Sequence, residues 1–334
     1  MLGAPRYRGP ASDHFDGRRF RNQDEGPHGR LAELLKWGLS RKRGRWAWRD
    51  AEPGSPPPER VGGGDLRVTL VNHATFLVQV DRMNVLTDPI WAGRTSPVSF
   101  AGPKRFRPPG LRFEDLPPID LVLLSHNHYD HLCAPTMRRL AREHAPTVVS
   151  GLGNARLLQA MGVSEAVDLD WWGVHAVTDR VSVVATPARH FSGRGLRDRD
   201  GTLWCGLALE TPSGTVFFAG DTGMGMHFEQ IRERLGSPRL ALLPIGAVRP
   251  EWFMRPVHMT PEDAIEAHHM LGAGTSVATH YGTFALADDA QDEPIERLRA
   301  ALDDECRERF LVLEHGVGKL IAPHEEAGTS AAAE

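Results

Sequence analysis

The chain has 334 residues, 41% of them hydrophobic and 25% charged, with a formal net charge of −4. That balance is enough for one large α/β domain or two smaller ones, and it provides no global basic field for nucleic acid. The cysteines, Cys133, Cys205 and Cys306, are far apart and odd in number, which excludes a disulfide framework and points to a reducing compartment. The chain opens without an apolar secretory segment and has no apolar run long enough to span a bilayer, so the expected location is cytoplasmic. The sixteen histidines are the compositional anomaly.

Residues 1–65 are rich in Arg, Gly and Pro and end in "EPGSPPPERVGGGD", a linker by composition. Within this arm, "LAELLKWGLS" places Leu31, Leu34, Leu35, Gly38 and Leu39 at helical spacing, and the basic-aromatic run "RKRGRWAWR" follows. Such a helix either folds back on the main domain or lies on a membrane surface. From Leu66 the pattern changes to short β-rich runs: "LRVTLV", "TFLVQV", "NVLTD", "IDLVLLS", "APTVVSG", "RVSVVATPA", "WCGLALE", "TVFFAG", "LALLPIG", "TSVATH" and "RFLVLEHG". Helical patterns fall at 135–143, 154–161, 228–235, 261–271 and 294–303. The one at 261–271 is clearest, because Thr260 can cap it, Pro261 suits its first position, and Glu262 and Asp263 favour its dipole. Consecutive strands with later helices do not make a regular βαβ alternation; two mixed sheets flanked by helices fit better, an α+β fold over 66–322. The end, 323–334, reads as a disordered tail.

The apolar run "IDLVLLS" stops at His126, and a helix opens near Pro135, so "HNHYDH" occupies the connecting loop. In extended chain His126 and His128 point to the same side, and tightening toward the helix brings Asp130 and His131 alongside. Imidazoles and a carboxylate suit Zn²⁺, and also Mn²⁺ or Fe²⁺, while the lack of cysteine disfavours a structural thiolate site. The alternative, histidines bonding only to one another, would bury several imidazoles to no evident purpose. Further donor types close other strands: His190 in "VVATPARHF", Asp221 in "TVFFAGDTG" and His280 in "TSVATHYGTF". Taken singly, Asp221 could cap a turn and His280 could be a core histidine; together with the first cluster, they read as one metal site.

"SHNHYDH", then His190, then "GDTG", then His280 resembles the metallo-β-lactamase-fold hydrolases, which implies an αββα sandwich and a two-metal site. The segments "LTDPIW", "SPVSFAGPKRFRPPG", "LDWW", "PIGAVRPEWFM" and "THYGTFALADD" are similar to the branch that contains N-acylphosphatidylethanolamine-hydrolysing phospholipase D and its bacterial relatives. The resemblance implies that His126, His128 and His190 hold one divalent ion, that Asp130, His131 and His280 hold a second, and that Asp221 bridges them. Zinc is the expected metal. Two such ions would generate hydroxide from a shared water, with Asp130 orienting it.

His258, in "RPVHMTPED", is implied to face the site and serve substrate binding or the leaving oxygen. Val257 before it departs from the mammalian members, which have a polar side chain there. Tyr129 is placed to hydrogen-bond substrate or to pack on the sheet end. His73 and Asp88, at strand turns near the expected metal end, are read as groups that orient ligands or fix loops. Trp171 and Trp172 either line an apolar pocket or pack, and His268 and His269 suit the negative end of a helix dipole. The implied activity is cleavage of a phospholipid phosphodiester, with a phospholipid as partner and peripheral contact at the inner face of the membrane. A homodimer is compatible with this reading. A lactonase or another phosphodiesterase on the same fold is the alternative, and a non-catalytic lipid-binding module the third. Nucleic acid is not expected as substrate.

Overall fold

Short apolar runs bounded by turn residues are too brief for helices and bury best by pairing. In the computed structural model, which describes residues 3–23, 31–195 and 197–324, they pair into two mixed sheets. The first half of the domain supplies β1 (Leu66–Asn72), β2 (Thr75–Val80), β3 (Met83–Thr87), β4 (Leu121–Leu124), β5 (Thr147–Gly151) and β6 (Ala166–Leu169). The second half supplies β7 (Val174–Thr178), β8 (Val181–Thr186), β9 (Gly206–Glu210), β10 (Val216–Phe218), β11 (Leu240–Pro244), β12 (Thr275–Thr279) and β13 (Phe310–Leu311). The last strand, β14 (Gly318–Ile321), returns to the first sheet, giving the order β14-β1-β2-β3-β4-β5-β6 against β13-β12-β11-β10-β9-β8-β7. Each sheet joins an antiparallel half to a parallel half, with β3-β4-β5-β6 and β10-β11-β12-β13 parallel.

The helices are α1 (Leu31–Ser40), α2 (Ala134–Glu143), α3 (Ala155–Gln159), α4 (His227–Leu235), α5 (Glu251–Met254), α6 (Pro261–Leu271), α7 (Glu293–Ala301) and α8 (Asp304–Arg309). β4 shows why its sequence is apolar throughout. Leu121 and Leu123 face the core between the sheets, while Val122 and Leu124 face α2 and α3 through Met137, Leu140, Leu157 and Leu158. α6 begins and ends where its sequence says it should. Thr260 Oγ1 accepts from the Asp263 N–H at 3.1 Å, the Asp263 carboxylate accepts from the Thr260 N–H at 3.0 Å, and Gly272 closes the helix in the left-handed region. Replacing Thr260 with Ala should lower stability by about 1 kcal/mol in urea unfolding; an unchanged midpoint would mean that packing alone holds the helix start.

Three strands were not expected from sequence. β6, β7 and β14 are sheet-edge strands whose side chains are mostly half-buried or exposed, so they lack the apolar signal. Conversely, "RFLVLEHG" pairs only at Phe310 and Leu311; α8, capped by Asp303 at the Cys306 N–H, takes Asp304–Arg309 just before it.

The arm is embedded in the domain rather than appended to it. Phe15 and Phe20 pack with ring centroids 4.4 Å apart and join the largest buried apolar cluster, which the sheet residues also form. Residues 41–65 run extended along the surface, held by Gly44 N–H to Asp288 O, Arg49 N–H to Phe106 O and Gly54 N–H to Gly110 O. Gly54 is needed here, since a Cβ would lie 2.1 Å from the Gly316 carbonyl oxygen. From residue 325 onward the expected tail lies outside the described residues.

Candidate metal centre

The turns after β3, β4, β8, β10 and β12 open at one edge of the sandwich, and each brings a donor there. Backbone is bent to do so. His73, Asp88 and His280 all have left-handed φ, at 49°, 32° and 63°, a conformation that costs a non-glycine residue about 1–3 kcal/mol and persists where surrounding contacts impose it. Gly246 makes room for the last of these, as a Cβ there would sit 1.8 Å from the His280 carbonyl oxygen.

Two groups of donors result. His126 Nε2 lies 2.8 Å from His128 Nδ1, and His190 Nε2 lies 3.2 Å from the same atom. Nitrogens held about 2.0–2.1 Å from a tetrahedral zinc are about 3.3 Å apart, so these separations suit a shared ion. In the second group, His131 Nε2 and His280 Nε2 stand 3.3 and 3.4 Å from Asp130 Oδ2. Asp221 Oδ2 joins the groups, at 3.2 Å from both of those nitrogens and 3.7 Å from His190 Nε2. His131 Nε2 and Asp221 Oδ1 are buried with no aligned hydrogen-bond partner among the described residues. Orphaned donors of this kind, pointing inward from several turns, fit one or two divalent cations.

The ring orientations follow from groups behind the donors. His190 Nδ1 donates to the Val257 carbonyl at 2.9 Å, which leaves the Nε2 lone pair facing the cluster. Asp88 Oδ2 holds His131 Nδ1 at 2.5 Å, and Asp88 also accepts from the Ser125 N–H and hydroxyl, while Ser125 Oγ lies 2.9 Å from His126 Nδ1. His73 Nε2 stands 3.1 Å from Asp130 Oδ2, close enough to count with the second donor group.

Electrostatics divides the imidazoles. Burial, reinforced by neighbouring imidazoles, pushes His126 well below its usual range, and burial likewise brings His128 to about 4, so both are neutral lone-pair donors. Burial opposes charge on His280 and His131 too, but Asp221 and Asp130 outweigh it. They raise His280 to about 9 and His131 well above its usual range. Asp221 and Asp130 are correspondingly held well below the usual carboxylate range, His280 and His131 overcoming their desolvation. Those carboxylates gather positive charge, as a divalent ion would supply it.

The Beta-lactamase superfamily domain matches residues 83–281, the span that carries every donor named above except His73. The chain belongs to the metallo-β-lactamase superfamily. This metal-dependent hydrolase is 41% identical over 281 residues to an uncharacterized protein of Mycobacterium tuberculosis, covering 81% of this chain and 74% of that one. It is 36% identical over 249 residues to N-acyl-phosphatidylethanolamine-hydrolyzing phospholipase D 1 of Caenorhabditis elegans, covering 71% and 70%. Among solved structures, an isothiocyanate hydrolase from Delia radicum gut bacteria superposes with a TM-score of 0.61 at 20% identity, covering 77% of this chain and 99% of that one, a likeness of fold alone.

Other side chains of the hydrolase are placed as follows. His258 borders the cluster, its Nδ1 3.9 Å from Asp221 Oδ2. Tyr129 does not face it: the hydroxyl donates to the Arg194 carbonyl at 2.8 Å, and the ring lies beneath the Arg194 guanidinium. Trp171 is buried and donates to the Trp204 carbonyl, so it packs, and Trp172 lies under Arg234. His268 is hydrogen-bonded to Ser276, and His269 approaches Cys306 at 3.3 Å, away from this edge. Sequence reading missed Ser125 and Asn22, whose Oδ1 accepts from the His190 N–H at 3.1 Å. Ser125 was legible as the residue before the cluster; Asn22 had no signal.

Proposed function

We propose that the hydrolase cleaves a phospholipid phosphodiester in the phospholipase D manner, releasing N-acylethanolamine and phosphatidate from N-acylphosphatidylethanolamine, with zinc as its metal. The observation that carries this reading is a cavity of about 270 Å³ with a polar floor and apolar walls. His128, Asp130, Asp221, His258 and His280 form the floor; Leu34, Trp37, Phe253, Met254, Val257 and Leu286 form the walls. Such a cavity suits a ligand with a charged reacting group and an apolar remainder. The relatives named for this reaction support the same choice.

The rim supports contact with a lipid surface, at the inner face of the membrane for a cytoplasmic protein. α1 sends Leu34 and Trp37 into the cavity wall and leaves Leu39 90% exposed. Beside it the Lys36 ammonium sits 4.4 Å over the Trp252 ring, and Lys42 and Arg43 follow in sequence. Exposed apolar side chains bordered by cations suit an anionic lipid interface. No helix among the described residues is long and apolar enough to cross a membrane.

Two divalent ions at the centre would lower the pKa of a shared water and neutralise the phosphoryl oxygens. The chain's own groups orient and exclude. Asp130 Oδ2, held by His73, borders the cavity and can orient an attacking water by accepting its hydrogen bond. His258 lines the same floor and its Nδ1 has no hydrogen-bond partner among the described residues. Burial brings it to about 4 despite Asp221, so at neutral pH the ring is uncharged and serves the leaving oxygen as a hydrogen-bond donor.

Hydrolysis in heavy-oxygen water tests the reading. Label is expected in phosphatidate, with none in N-acylethanolamine. Label in a carboxylate, with the phosphodiester intact, would make the protein a lactonase or carboxylesterase. His258→Ala should slow release of N-acylethanolamine by about 10²-fold and of a nitrophenolate far less, since the latter needs no help in leaving. Equal losses would return His258 to a positioning role.

A further inference from the structure

A second and larger cavity, of about 690 Å³, opens on the other side of the metal-bearing loop. Arg94, Lys104, Arg105, Arg138 and Arg194 line it, and no carboxylate does. None of these side chains forms an ion pair among the described residues. Arg105 is 8% exposed; its guanidinium donates to the carbonyls of Ala92, Ile90 and Arg107 and lies 5.5 Å from the Phe284 ring, with no carboxylate partner among the described residues. Arg194 is 5% exposed and donates to the carbonyls of Asn127 and Leu132, while its buried Nε has no hydrogen-bond partner among the described residues. Asp198, whose charge reaches Arg194, is taken up by the backbone N–H groups of Ala4, Arg194 and Gly195. Burial without a countercharge lowers Arg105 to about 10.

Buried cations held without carboxylates are costly unless an anion completes them. The backbone adds to the demand. Ala134 and Pro135 at the start of α2 also line this cavity, with no acidic residue in the first turn and no side-chain cap from Cys133. The positive end of the helix therefore faces the cavity uncompensated. Planar guanidinium forks and an ammonium, set beside the positive end of a helix, together select a tetrahedral oxyanion.

We infer that this cavity is a second binding site, separate from the metal cluster, for a phosphate group of the monoester type. That chemistry is shared by inorganic phosphate and by the headgroup of phosphatidate. Its position gives occupancy a consequence. Arg194 clamps the carbonyls of Asn127 and Leu132, which bracket His128, Asp130 and His131, so an anion on this guanidinium pulls on the loop that carries those donors.

The test uses metal-loaded protein and a variant with Arg94→Ala, Lys104→Ala and Arg138→Ala, residues that are exposed or half-buried and hold neither the core nor the loop. Calorimetric titration with inorganic phosphate should show binding that the triple variant weakens by about ten-fold or more, at unchanged metal content. Lys104→Glu alone should act in the same direction. Vesicles of phosphatidylcholine with and without phosphatidate identify the source. Loss of phosphatidate-dependent sedimentation in the variant assigns the site to the lipid headgroup; its retention alongside weakened phosphate binding assigns the site to the free anion. Unchanged binding of both probes would overturn the inference.

Discussion

Replacing Asp221 with alanine should lower turnover by about 10³-fold or more and reduce bound metal by about half or more. The reason is its position. One oxygen of Asp221 lies 3.2 Å from His131 and His280 and 3.7 Å from His190, so it reaches donors of both groups, and its other oxygen is buried without a hydrogen-bond partner among the described residues. Without that carboxylate, His131 and His280 lose the charge that holds them protonated or metal-bound. The sheets themselves are packed by residues such as Phe217 and Leu242, which this change leaves in place, so circular dichroism should be unaltered. Elemental analysis and a phosphodiester assay measure the outcome. A fully active alanine variant would remove Asp221 from the centre.

Phe15→Ala should cost about 3–5 kcal/mol in urea unfolding, the range of a buried aromatic truncation. Phe15 is 1% exposed, packs against Phe20 and Tyr7, and belongs to the same buried cluster as the strands, although it lies far from them in sequence. A change below about 1 kcal/mol would mean that the arm is peripheral. The same packing bears on how lipid contact is tested. Deleting residues 1–50 would remove Phe15, Phe20 and the Asn22 contacts to His190 together with α1, confounding docking with folding. The exposed Leu35 and Leu39 are the better positions for substitution.

Much of the site was legible because its signals are local. A strand, a loop and a helix in immediate succession place His126, His128, Asp130 and His131 within a few residues, whatever the rest of the chain does. Asp221 and His280 each follow a strong apolar strand, and strands that share a sheet in parallel deliver their ends to the same edge. α6 was readable to the residue because capping is chemistry between neighbours, Thr260 with Asp263 and Gly272 with its own backbone.

What the sequence could not decide rests on contacts between distant segments. The basic-aromatic run and the linker-like 52–65 that follows it are pinned by hydrogen bonds to Asp288, Phe106 and Gly110, partners that composition does not reveal. β7 became a strand because β8 offered it a ladder, not because its alternating half-exposed residues demanded one. Tyr129 sits in the metal-bearing loop but faces the second cavity, since Arg194, 65 residues on, captures its ring and hydroxyl. The basic residues of that cavity are scattered from Arg94 to Arg194 and form no run in the sequence. Sequence determined which donors the hydrolase has and which turns carry them, because strand ends and caps depend on adjacent residues. Tertiary structure alone decided where each ring points and which charges share a cavity, because burial and Coulomb interaction depend on distance in space rather than separation along the chain.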